Sequence, residues 1–193
     1  MKNNNISSIQ IMGDIHSGTR WLYSLLSQNL NQLEMHGGHK SDFKHDHFST
    51  CLPKKDVLYI YSIRTYESWL PRMTVQNYGH YVNMENIAIY DMYCNKILSN
   101  FKILQELNFI CARLDVLQKD QGSQLLTTIS KKFNIPVLPN FEPITKHTKS
   151  HAQWWHDANK SPQPNYNFDY CNNNLFESLL NKLQSKLLFN VLC

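Results

Sequence analysis

The sequence predicts a single-domain α/β fold over residues 1–193, with a central parallel sheet flanked by helices in three layers. Three observations lead there. Short apolar, β-branched runs alternate with longer stretches whose apolar residues recur at spacings of three and four. No internal repeat and no linker-like stretch divides the chain. Its 193 residues suit one domain and can bury a core without disulfides or a structural metal. Strands alternating with helices imply parallel pairing through right-handed crossovers.

The elements follow in order. Ile9-Gln10-Ile11-Met12 is a short strand closed by Gly13, and Trp21, Leu22, Leu25, Leu26 and Leu30 mark the apolar face of a helix. Leu33 to Met35 reads as a second short strand, ended by Gly37-Gly38. Val57 to Ile63 is the clearest buried strand, being continuous, β-branched and aromatic. Ser68 to Tyr78 and Met84 to Leu107 read as helices, with Pro71 beginning or kinking the first. Phe109 to Ala112 is a further strand, and a helix runs from about Gln121 to Phe133. Ile135 to Leu138 fits either a strand or a connection. Thr145 to Tyr170, polar and proline-bearing, reads as a long loop, and Leu175 to Leu188 as an amphipathic helix.

Composition narrows the function classes. Nineteen basic against fifteen acidic residues give a net charge of +4, which suits an anionic small molecule but falls short of a polybasic nucleic-acid arm. No run approaches the roughly 18–20 apolar residues of a membrane span, and the start of the chain lacks the apolar core of a secretory signal. Five cysteines, an odd number without a Cys-x-x-Cys pair, predict a reducing, cytoplasmic setting and no disulfide framework. Cys111, inside an apolar run, reads as a small core residue. An anionic small-molecule partner is expected, with neither nucleic acid nor membrane.

The most informative stretch is Gly13-Asp14-Ile15-His16-Ser17-Gly18-Thr19-Arg20. It follows a strand and opens a helix. Glycines let backbone N–H groups approach an anion, the helix start adds donors and a positive dipole end, and Ser17 and Thr19 add hydroxyls. His16 and Arg20 flank it with actual or potential positive charge. The Gly-Lys-Ser/Thr of a nucleotide triphosphatase is absent, because Gly18 is followed by Thr19-Arg20. A plain strand-to-helix turn with a serine or threonine cap fits the same residues.

These residues resemble the phosphosulfate loop of P-loop sulfotransferases, in Ser17-Gly18-Thr19 followed by Trp21-Leu22 and Leu25-Leu26. A second resemblance is the strand ending Ile63-Arg64 and its following helix, which in that family holds the 3′-phosphate of PAPS (3′-phosphoadenosine 5′-phosphosulfate). Ala112 to Leu117 echoes a third family segment more loosely, as does the polar, aromatic segment before the C-terminal helix. The resemblance implies a P-loop-like fold, PAPS as co-substrate, PAP as product and a small-molecule or glycan acceptor as partner. Ser17, Gly18, Thr19 and Arg20 would hold the phosphosulfate, and Arg64 with Arg72 the 3′-phosphate. Departures are plain: His16 stands where the family usually has Lys or Arg, and Arg20 where a second hydroxyl is common. Arg72 occupies a usual serine position, and Tyr66 a usual proline position. Three of only four arginines fall in or just beyond the two phosphate segments, and arginine makes planar, permanently charged contacts with phosphate. Arg113 reads as structural, at a strand end.

The segment from Glu34 to His47 carries His36, His39, His45 and His47. It fits a solvated loop, a metal site, or a catalytic segment. No Cys/His framework supports the metal, and none is predicted. The resemblance implies the third reading, with Lys44-His45 in the place of the family's catalytic pair and His47 as the alternative. A base near neutral pKa would take the proton of an acceptor hydroxyl or amine. His16 in its charged form, Lys44 or Arg20 would stabilise charge on the leaving oxygen. The basic, aromatic stretch Thr145 to His156 fits a surface loop, a nucleotide cover with Trp154 or Trp155 stacked on a base, or an acceptor wall. Two alternatives stand beside a sulfotransferase: a related nucleotide-binding module without turnover, and a small-molecule kinase.

Overall fold

The computed structural model of the chain describes residues 6–14, 17–30, 33–37, 53–75, 86–138 and 191–192; for 71–75, 86–87 and 191–192 it describes the backbone alone. The elements are β1 (Ser8–Gly13), α1 (Thr19–Asn29), β2 (Glu34–His36), β3 (Val57–Ile63) and α2 (Tyr66–Val75). They continue with α3 (Asn86–Leu104), β4 (Asn108–Arg113), α4 (Leu114–Leu117), α5 (Ser123–Phe133) and β5 (Val191–Leu192). The strands form one sheet in the order β2-β1-β3-β4-β5, every pair parallel.

Strand residues alternate between two cores, as the pleat requires. On one face Val57, Tyr59, Tyr61 and Ile63 of β3 meet Trp69 and Leu70 of α2 and Ile89, Tyr90, Tyr93, Ile97 and Phe101 of α3. On the other, Leu58 and Ile60 meet Leu22, Leu25 and Leu26 of α1 and Leu125, Leu126 and Ile129 of α5. Every residue of β3 is buried, so the continuous apolar run is the mark of a strand covered on both sides. The two helical layers rest on the two faces of the sheet. The chain moves from β1 to β2 in one direction and from β3 to β4 in the other, with α1 and α3 on opposite faces. Both crossovers therefore share one hand.

Several boundaries differ from the sequence expectation. α2 begins at Tyr66, so Pro71 lies inside it rather than at its start and removes one backbone donor from the helix. The short turn α4 directly after β4 was not anticipated, because its four residues are too few to show a period. Ile135 to Leu138 is no strand: Ile135 is buried against the α1 face, and the Leu138 amide donates to Asn29 O at 3.0 Å. β5 was likewise unforeseen. The loop expected over 145–170 and the helix over 175–188 lie outside the described residues. Cys94 and Cys111 are buried, and among the described residues neither is in a disulfide. No helix among the described residues is long and apolar enough to cross a membrane.

Candidate functional site

The register sets Gly13 of β1, Ser62 of β3 and Ala112 of β4 side by side across the sheet. The segments that follow these strands consequently leave from one edge. β1 is also where the strand order reverses, with β2 on one side and β3 on the other. In open parallel sheets, ligands bind beyond the carboxyl ends of the strands at such a reversal.

The loop after β1 is tightly built. The Ser17 amide donates to Asp14 O at 3.0 Å, and Ser62 Oγ donates to Ser17 O at 2.5 Å across a sequence separation of 45 residues. Ser17 is fully buried, and among the described residues its own hydroxyl has no hydrogen-bond partner. That oxygen lies against Gly13, where any Cβ would collide with it and would stand 2.6 Å from Ser62 O. A buried hydroxyl without a partner is costly unless something completes it.

Gly18, not a serine or threonine, caps α1, with φ of 95°, and among the described residues no capping side chain hydrogen-bonds the helix start. The reading as an ordinary hydroxyl-capped turn is therefore replaced. No acidic residue stands in the first turn of α1. Leu114, fully buried at the start of α4, packs against the Gly18 Cα and closes the underside of the loop. The segments after β1 and β4 thus touch at one place, and Ser62 of β3 is tied to the first of them.

Two charged residues join this loop. Asp14 is buried, and Lys96 Nζ on α3 donates to its Oδ1 at 3.1 Å. Below them, Asn100 Nδ2 donates to Tyr61 OH at 3.2 Å and to Lys96 O at 2.9 Å. Burial, reinforced by the Asp14 carboxylate, pushes the Tyr61 phenol far above its ordinary pKa, so it remains neutral.

Arg64 follows β3 and is half-buried. Its backbone is held by Tyr93, whose hydroxyl donates to Arg64 O at 2.7 Å and accepts from the Arg64 amide at 3.4 Å. Tyr93 itself is fixed by stacking on Trp69, with ring centroids 4.4 Å apart.

Of the expected site residues, Ser17, Gly18 and Thr19 form the loop floor and helix start, and Thr19 is buried. Arg20 is exposed on α1. Arg72 lies on α2, its side chain outside the described residues, and His16, Lys44, His45 and His47 are likewise outside them. Arg113 is occupied by Asp115, to which it donates from Nη2 at 2.9 Å and from Nε at 3.4 Å. Among the described residues no group of three or more His, Cys, Asp or Glu side chains stands together to hold a metal ion. Lys96 and Ser62 were missed from sequence. Lys96 looks like an ordinary solvated helix lysine until the fold brings it 82 positions back to Asp14. The loop can thus offer an anion a hydroxyl, helix-start amides and an ammonium. No family model, no curated protein and no solved structure matches the chain.

Proposed function

We propose that the chain is a sulfotransferase with a P-loop-like, single-domain fold, taking PAPS at the ends of β1 and β3 and passing the sulfuryl group to an acceptor hydroxyl or amine. The observation that carries this reading is the meeting of its two phosphate segments. Gly13 and Ser17 are remote in sequence from Ser62, which directly precedes Ile63-Arg64, yet they adjoin it at the strand-order reversal through the β1–β3 register and the Ser62–Ser17 hydrogen bond. The buried Ser17 hydroxyl, without a partner among the described residues, fits a site that an anion oxygen completes. Ser17, Gly18, Thr19 and Arg20 then serve the phosphosulfate, and Arg64 with Arg72 the 3′-phosphate.

In the transfer, the acceptor oxygen or nitrogen bonds to sulfur while the bond from sulfur to the 5′-phosphate oxygen breaks, releasing PAP. His45 takes the acceptor's proton, with His16, Lys44 or Arg20 near the departing oxygen. A second reading, a nucleotide-binding module without turnover, draws on Asp14: a buried carboxylate beside an anion site opposes the ligand unless it is neutralised.

Calorimetric titration in EDTA tests the proposal. PAP is expected to bind at one saturable site without added metal. ATP binding that requires Mg²⁺, with none for PAP, would favour a small-molecule kinase instead.

A further inference from the structure

Lys96 stands midway along α3, yet its Nζ reaches the loop after β1 to donate to Asp14 Oδ1 at 3.1 Å. The partners differ in surroundings. The Asp14 side chain is 9% exposed and that of Lys96 34%, so the carboxylate is sealed while the ammonium faces partly outward. An ammonium has three donors, and the Asp14 bond uses one. Asp14 is fixed in turn, since its carbonyl accepts the amide of Ser17. Nζ is therefore pinned to the same loop that holds the buried Ser17 hydroxyl, which has no hydrogen-bond partner among the described residues. That loop has Thr19 where a phosphate-loop lysine would stand.

We propose that Lys96 is the cation of this loop, held by Asp14 and donating to a diphosphate-like anion seated against Ser17 and the start of α1. The inference rests on the nucleotide reading above and assigns the 5′ end of that ligand to a residue from the far side of the sheet. The pairing resolves the conflict posed by Asp14. The carboxylate orients the ammonium and has its own charge cancelled by it, and the remaining N–H groups of Lys96 meet the incoming oxygens. A merely structural bridge would tie α3 to the end of β1, and its loss would lower the unfolding temperature without weakening any ligand.

Pyrophosphate and PAP are each titrated into the wild-type chain, Lys96→Met, Lys96→Gln and Lys96→Arg, with thermal unfolding of every variant. Loss of the charge in the Met and Gln variants is expected to weaken both ligands about ten- to hundredfold, and Arg is expected to restore most of the affinity. Gln keeps a donor to Asp14, so it tests the charge even if Met fails to fold. Wild-type affinity in Gln, or a change in unfolding temperature alone, overturns the proposal. Pyrophosphate binding that depends on Lys96, without PAP binding, sinks the nucleotide reading and leaves Lys96 in place. A wild-type chain that binds neither ligand overturns both.

Discussion

Arg64 shows how firmly a single residue is fixed at the end of a strand. Its backbone is clamped by the Tyr93 hydroxyl at both the amide and the carbonyl, and Tyr93 is locked against Trp69. The arginine that ends β3 consequently starts from a fixed Cα, which limits the conformational freedom lost on binding. If Arg64 serves the 3′-phosphate, Arg64→Ala weakens PAP by about 1.5–3 kcal/mol, roughly ten- to hundredfold. Adenosine 5′-phosphosulfate, which lacks that phosphate, should bind the variant and the wild type alike in the same calorimetric titration. Equal losses for both ligands would place Arg64 elsewhere. Arg113 is the contrast at this scale, its guanidinium already engaged by Asp115 two residues on.

At the scale of elements, the start of α1 depends on packing from a distant turn. Gly18 holds a left-handed conformation, and an added Cβ would strike Leu114 Cδ2 and come within 2.7 Å of Cδ1. Gly18→Ala therefore meets both backbone strain and overpacking, and is expected to cost about 2–4 kcal/mol of stability. Urea unfolding should show a lower midpoint at unchanged slope. A midpoint equal to the wild type would mean that α4 yields easily and that the loop is not held from below.

Across the whole molecule, the core between the sheet and helices α2 and α3 is rich in aromatic rings, among them the buried phenols of Tyr61 on β3 and Tyr93 on α3. Desolvation raises both above the ordinary tyrosine value of 10.0. Below pH 10 both folded and unfolded chains keep these protons, and the full contribution of the neutral phenols is present. Above it the unfolded chain releases them first, so stability falls by about 1.4 kcal/mol per phenol per pH unit. Denaturant midpoints measured from pH 8 to 11 should decline steeply at the alkaline end. Tyr61→Phe should shallow that decline despite leaving Asn100 without one partner. An unchanged alkaline slope in this variant would show that Tyr61 titrates elsewhere than in this core.

The local chemistry of the chain was enough to determine most elements. The run Val57 to Ile63 spells a strand buried on both faces, and the spacing of Leu22, Leu25 and Leu26 spells a helix, because burial imposes periods of two and 3.6 on any sequence. Gly13, Ser17 and Gly18 also marked the loop after β1, since a tight strand-to-helix turn demands small residues wherever it occurs. Short elements carried no such signal: α4 spans four residues and β5 two, too few to repeat. Tertiary structure alone decided strand order, and with it which loops meet. Parallel crossovers of similar length allow several orders, and only packing of both faces selects β1 beside β3. The same holds for Lys96 and Asp14. Their identities were on the page from the start, but a pairing across 82 residues has no local period, and it exists only because α3 lies over the end of β1.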